Sequence, residues 1–420
     1  MKLHICLLSG ANTELDLPST DVSVGQLRRK AQVQLCCGID QLITSDGRVL
    51  KESMSVEDAC LNDDETLTAS VRPTQIVASV RGLAMAYHRC DGSVETWGFR
   101  DSGGDSSRVA PALCDVRSIT PNARGFAAVL YSGRVVTWGI APCGGDSSHF
   151  QDELFDVQDI ASTALSFAAV RSDGVLIQWG SMKPLPLKRM DGVQQVVGSA
   201  MAYAALLKDG EVLTWGHGEY GGDSHEVQGE LVEVQRLYAT NAAFAALRAD
   251  ARLVTWGGGE LQETLAEVEE AFFDVKTIWT TSDTFIALRE NDQVIFWGNS
   301  RIVKEQPPQD QLYDLLDAAG TENAVALLRG DGSVISWGAA ETGGDSRQVQ
   351  SELRQVLRLS STQRAFGALR ADGAVVVWGD PKFGGECPRA IKAGGMKKGD
   401  PGVLECSFSL LFVGCWSVGG

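Results

Sequence analysis

Residues 365–379 read AFGALRADGAVVVWG, and the reading of that stretch decides the fold. An apolar strand ends at Asp372-Gly373, and a β-branched run follows and closes on Trp378-Gly379. Glycine in the turn supplies the positive φ that a two-residue hairpin demands. The same grammar recurs along the chain, with Trp-Gly at Trp97, Trp138, Trp179, Trp215, Trp256, Trp297, Trp337 and Trp378, at intervals of 36 to 41 residues. Eight copies at nearly one period mark a repeat architecture. Five copies carry Asp-Gly at the turn, whereas Ala251 and Asp292 take the glycine position in two others. A non-glycine there is expected to cost about 1 kcal/mol of backbone strain.

After Trp-Gly the chain commonly reads Gly-Gly-Asp-Ser, at 103–106, 144–147, 221–224 and 343–346. Apolar residues then fall at i, i+4 and i+7, as at Phe150, Leu154 and Val157, which predicts a short helical face capped by the preceding Asp-Ser. A third short strand, VQDIAST (157–163), completes the unit. So small a sheet cannot bury its own apolar face. Side-by-side stacking closed into a ring buries the faces and removes the open edges. In that ring each indole fills the wedge between neighbouring sheets, a structural role for all eight tryptophans.

The strand–turn–strand–Trp-Gly core resembles the repeat of the regulator of chromosome condensation family, whose blades share an ALxxDGxVYxWG pattern. The resemblance covers about residues 74–388 and implies a β-propeller of seven or eight blades. It departs after Trp-Gly, where the family's Gly-Gln-Leu-Gly segment is replaced by Gly-Gly-Asp-Ser or lost.

The first 72 residues do not repeat. KLHICLL (2–8) and ELDLPST (14–20) read as a hairpin, Ser23 to Gln26 as a capping box, and Val24, Leu27, Ala31 and Leu35 as one helix face. Asp46-Gly47 marks a second hairpin and ETLTASV (65–71) a last strand, giving a small α+β domain. Its order and spacing are similar to ubiquitin, on Leu8, Gly10, Asp46-Gly47, Leu50 and the Glu65-Thr66-Leu67 run. The resemblance implies a partner face at Leu8, Thr44 and Ser70 with Arg48 beside it. Thr44 and Ser70 stand where ubiquitin is apolar, which weakens that face for the usual receptors. Arg72 runs through Pro73-Thr74 straight into the repeats, so conjugation through a free tail is not expected. The expected organisation is a ubiquitin-like domain at 1–72, a propeller at 74–388 and an irregular tail at 389–420.

Net charge is −17, of which −13 lies beyond residue 72. Such a surface repels phosphate backbones, so proteins, not nucleic acids, are the expected partners. The 10 cysteines form no C-x-x-C pair and lie near no zinc-like histidine spacing, which predicts free thiols in a reducing compartment, the cytoplasm or nucleus. His4 interrupts the apolar opening of the chain, no cleavage site follows, and no stretch has the apolar length of a membrane span. Asp105, Asp146, Asp223 and Asp345 recur in equivalent places and are expected to cap their own backbone and not to hold metal. No phosphate loop, nucleophile elbow or zinc-protease helix occurs, so neither catalysis nor a cofactor is expected. The reading is a non-catalytic interaction scaffold, its partner a ubiquitin-pathway component. The alternatives are a nucleotide-exchange factor for a small GTPase or a fragment of a HERC-type ubiquitin ligase without its HECT domain.

Overall fold

In the computed structural model, each hairpin of the repeats becomes the middle and outer strands of a three-stranded antiparallel sheet. Residues 1–387 are described, apart from 9, 36, 73, 80, 91, 183–191, 259–263 and 266–267, so the tail expected at 389–420 lies outside them. In one sheet Val157–Ser162 pairs with Ser166–Arg171, which pairs with Leu176–Gly180. Eight such sheets are described, here blades 1 to 8: 75–98, 116–139, 157–180, 193–216, 234–257, 275–298, 315–338 and 356–379. The strand that follows each Gly-Gly-Asp-Ser segment is thus the inner strand of the next blade. Every blade thereby depends on its predecessor's linker.

Inner strands lie side by side around an axis, and blade 8 sits against blade 1. Tyr87 of blade 1 donates its hydroxyl to Gly373 O of blade 8 at 3.0 Å, and Trp97 donates to Gly384 O beyond blade 8 at 3.2 Å. The ring is closed, a β-propeller. One end carries the Asp-Gly hairpins (the hairpin end), and the other carries the turns between inner and middle strands (the loop end). At the loop end those turns are tied together by backbone bonds, Ala123 N to Ala164 O, Ala164 N to Ala200 O and Ala200 N to Asn241 O among them, at 2.8–3.2 Å. Arg81 reaches from blade 1 across the axis and donates to Asn241 Oδ1 at 2.6 Å, Thr240 O at 2.9 Å and Gly198 O at 3.1 Å. Burial depresses its guanidinium to about 10, with Asp283 opposing. One charged side chain therefore joins blade 1 to blades 4 and 5.

Ala251 and Asp292 adopt φ of 60° and 62°, the left-handed turn that the grammar requires. The helical face expected after Gly-Gly-Asp-Ser is instead a short 3-10 turn, as at Ala110–Ala112, Ser148–Phe150 and His225–Val227. Geometry explains the difference. The linker must cross from the loop end to the hairpin end, roughly the 17 Å of a strand of five residues, and an α-helix of eight residues rises only about 12 Å.

The amino-terminal domain has β1 (Lys2–Leu7), β2 (Asn12–Asp16), α1 (Val24–Leu35), β3 (Ile39–Ile43) and β4 (Glu65–Val71), in the order β2-β1-β4-β3 with β1 parallel to β4. Ser23 and Gln26 cap each other's backbone at 3.1–3.2 Å, as the capping box predicts. Val24, Leu27, Ala31 and Leu35 bury one face of α1 against Leu3, Ile5, Leu15 and Leu67 of the sheet.

Candidate interaction surface

The tryptophans lie at the seams between blades. Seven are buried; Trp337 is half-buried. In six blades the indole stacks on the ring at the second position of the middle strand, as Trp138 does on Phe126, with centroids 5.1 Å apart. The Gly-Gly-Asp-Ser loops complete this arrangement. Trp138, Trp179, Trp256 and Trp378 donate Nε1–H to Gly103, Gly144, Gly221 and Gly343 O of the preceding loop, at 2.8–3.1 Å. The loop's serine bonds the residue before the preceding tryptophan, as Ser147 with Thr137 at 3.0 Å. Its aspartate accepts the backbone N–H two residues on, at 2.9–3.0 Å from Asp105, Asp146, Asp223 and Asp345. Side-chain hydrogen bonds, from Ser107 to Asp105 and from Arg347 to Asp345, with these backbone bonds second, hold the two carboxyls at about 2. The four carboxylates are turn caps.

Trp215, Trp297 and Trp337 have no Nε1 acceptor among the described residues. They follow blades 3, 5 and 6, whose linkers lack Gly-Gly-Asp-Ser. Trp138→Phe removes a donor and strands the Gly103 carbonyl, whereas Trp297→Phe removes a donor with no acceptor among the described residues. Urea unfolding should show the first substitution costing about 1–3 kcal/mol more than the second. Equal losses would mean that the seam bond contributes nothing.

Of the four residues expected on one partner face of the small domain, Leu8 and Arg48 are exposed, Ser70 is half-buried and Thr44 is buried. Leu8 is 77% exposed at the end of β1. Thr44 is buried in the turn after β3, where its hydroxyl accepts Arg48 N–H at 3.1 Å and bonds the Asp46 carboxylate. The buried residues of β3 are Ile39 and Leu42, so Ile43, after Leu42, points outward and Thr44 turns in. Arg48 donates to Ala59 O at 2.7 Å, and Ser70 accepts Gln41 N–H at 3.1 Å. The expected face is corrected at Thr44, which is buried and engaged by its own turn.

A site that the sequence did not disclose joins the two domains. Arg28 of α1 and Arg72 after β4 are buried and share Asp115 of the propeller: Arg28 Nη2 meets Oδ2 at 2.6 Å and Arg72 Nη2 meets Oδ1 at 3.0 Å. Arg28 also donates to Glu52 at 2.6 Å and to Ile39 O at 3.0 Å. Both guanidiniums lie over the Tyr131 ring, 4.0 and 4.7 Å from its centroid, and the Tyr131 hydroxyl donates to Asp40. Burial opposes ionisation of Asp115, but the bonds and charges of Arg28 and Arg72 outweigh it and hold the carboxyl below its usual range. Burial, then the Asp40 charge, pushes the Tyr131 phenol up. Asp115 has φ 55°, and its carbonyl accepts Tyr131 N–H at 3.1 Å, so blade backbone fixes both halves of the socket.

Among the described residues, no three His, Cys, Asp or Glu side chains are placed to hold a metal, and no helix is long and apolar enough to cross a membrane. No protein-family model matches the chain, and neither does any curated protein. Among solved structures it is similar to Prp20p from Saccharomyces cerevisiae, at 13% identity over 74% of this chain and 82% of that one, with a TM-score of 0.44. It is also similar to the CRINKLY WD40 ectodomain of the Arabidopsis thaliana receptor kinase ACR4, at 15% identity over 74% and 96% of the chains, TM-score 0.42. The ectodomain of the Physcomitrella patens receptor kinase CR4 matches at 11% identity over 74% and 73%, TM-score 0.42. On its own geometry the chain is a closed propeller of three-stranded blades with a small α+β domain socketed on its hairpin end.

Proposed function

We propose that the chain is a non-catalytic protein-interaction scaffold: a propeller that presents its two ends to partners and holds a ubiquitin-like domain in fixed orientation beside them. The observation that carries this is the socket around Asp115, which gives two folds one rigid relationship through two buried guanidiniums. Such a junction suits a platform that sets the distance between bound proteins. The sequence supports the non-catalytic reading because it holds no recognisable nucleophile, phosphate or metal motif. The small domain has the strand order and capped helix of the ubiquitin resemblance, but not its apolar patch. A ubiquitin-pathway partner would therefore dock elsewhere than at Leu8, Thr44 and Ser70. The cysteine pattern, with no C-x-x-C pair, supports a reducing compartment for the scaffold, the cytoplasm or nucleus.

Crosslinking mass spectrometry of the tagged full chain in native extract tests the reading. Expected are reproducible protein crosslinks at the two propeller ends, and ubiquitin-pathway or proteasome components among them would support the ubiquitin-like assignment. Release of labelled GDP from small GTPases by the purified chain would overturn the scaffold in favour of nucleotide exchange. Absence of any reproducible partner would overturn it outright.

A further inference from the structure

Asp115 has counterparts. Its carbonyl receives the N–H of the residue that opens the hairpin turn, and Glu233, Asp274 and Asp314 receive theirs from Ala249, Glu290 and Gly330 in the same way, at 2.7–2.9 Å. All three share its left-handed backbone, with φ of 52°, 53° and 49°. They lie at the hairpin ends of the consecutive blades 5, 6 and 7; Asp156 of blade 3, with φ 49° and Phe155 before it, repeats the arrangement apart from that arc. Unlike Asp115, which the small domain leaves only half-buried, these three are exposed.

Each is preceded by an apolar residue that also faces water: Val232 at 46% exposure, Phe273 at 43% and Tyr313 at 51%. Exposed aromatics in neighbouring repeats need a reason, because a solvated ring forgoes the burial that a core position gives it. Phe273 and Tyr313 each already carry a guanidinium, Arg289 at 4.0 Å and Arg329 at 4.5 Å from the ring centroids, and the rest of the ring stays open. The hairpin end of this propeller thus repeats one chemistry, a carboxylate in a fixed left-handed turn beside an exposed apolar or aromatic side chain.

Blade 2 shows what a related arrangement takes, with the ring supplied by Tyr131 of the hairpin turn and not by the residue before the carboxylate, which is Cys114. There the carboxylate binds two guanidiniums, which lie on the Tyr131 ring at the same time. We infer that the arc over blades 5 to 7 is a docking surface for an arginine-rich segment of a partner protein. Guanidiniums would pair with Glu233, Asp274 and Asp314 and pack on Phe273 and Tyr313, repeating between chains what Arg28 and Arg72 do within one. The net charge of −17 adds long-range attraction for a basic partner. Arginine is preferred over lysine because a planar guanidinium satisfies a carboxylate and a ring face together, which an ammonium does not.

This surface rests on the scaffold reading, and its test stands apart from the crosslinking experiment. A fluorescent nona-arginine peptide is titrated with the full chain at physiological salt, against nona-lysine of equal charge. Asp274→Asn with Asp314→Asn removes two charges while keeping side chains that tolerate positive φ, so the fold is retained and thermal unfolding checks it. Glu219→Gln with Glu341→Gln removes the same charge from the loop end. Expected are a loss of about 10-fold for the first pair, under about twofold for the second, and at least about threefold preference for arginine. Phe273→Ser with Tyr313→Ser should abolish the preference while leaving residual binding. Equal losses in the two charge pairs, or equal binding of the two peptides, would show that net charge alone attracts them and would overturn the proposal. Partners crosslinked elsewhere on the propeller would then leave the scaffold itself standing.

Discussion

Asp115→Ala is expected to release the small domain from the propeller. Removing one member of a buried ion pair costs about 3–5 kcal/mol, because the partner charge stays desolvated. Here the stranded charges are two guanidiniums, with Glu52 still paired to Arg28 but no carboxylate left on Arg72. The chain has a cheaper response than keeping them buried. Undocking rehydrates both arginines and leaves each core intact, since the small domain encloses its own cluster around Leu3, Ile5, Leu27 and Leu67. The loss is therefore limited to the docking free energy and appears as separation and not as global unfolding. Small-angle scattering should report a larger radius of gyration, and urea unfolding should resolve two transitions in place of one. Asp115→Asn keeps the left-handed turn and an acceptor but not the charge, and should fall between.

Acid tests the same socket. The Asp115 carboxyl is held below its unfolded value, so its contribution is fully present above about pH 4 and is lost as pH falls through the folded value. Undocking on acidification should thus begin below about pH 4 and vanish as a separate event in Asp115→Ala. A single cooperative transition with an unchanged midpoint in the variant would show that the domains are held by something other than this cluster.

How far the sequence was legible follows from the range of each interaction. The repeat hairpins, the capping box and the period of Trp-Gly are local or periodic, and each became the predicted element. The turn at Asp46-Gly47, by contrast, is closed by an isolated bridge, Ile43 to Val49, and not by a second strand. The 3-10 turns were misread as a helical face because spacing alone does not say how far a linker must travel. Thr44 was misplaced by aligning positions without the pleat: Leu42 points inward, which fixes the facing of its neighbours. Arg28, Arg72, Asp115 and Tyr131 lie up to 103 residues apart and carry no shared pattern. An arginine within the helix and another closing the last strand read as ordinary solvated charges. What distinguished Asp115 from Asp156, Asp274 and Asp314 was a second domain's arginines, which no repeat comparison contains.

The first glycine of Gly-Gly-Asp-Ser was visible as a repeat, but its purpose was not, and Gly144→Ala makes that purpose measurable. Gly144 has φ 94°, where an L side chain is strained by about 1–2 kcal/mol. An added Cβ would stand 2.6 Å from Cδ2 and 3.0 Å from Cε2 of Phe167, a ring stacked on Trp179 and unable to retreat from the seam. Overpacking of that kind costs about 1–3 kcal/mol. Any shift of the loop also lengthens the 3.0 Å bond from Trp179 to the Gly144 carbonyl, worth about 1 kcal/mol. The expected total is about 3–5 kcal/mol, against about 1–2 kcal/mol for Gly192→Ala, where φ is 77° but the nearest atom is 3.8 Å away. Gly103, Gly221 and Gly343 face Phe126, Phe244 and Phe366 at 2.5–2.6 Å and should behave like Gly144. Gly384 faces the flexible Met85 at 3.3 Å and should fall nearer the control. Urea unfolding of this series separates backbone strain from ring packing. If Gly144→Ala and Gly192→Ala were equally costly, the loops would be mere connectors, and the seams would owe nothing to the glycine that each indole meets.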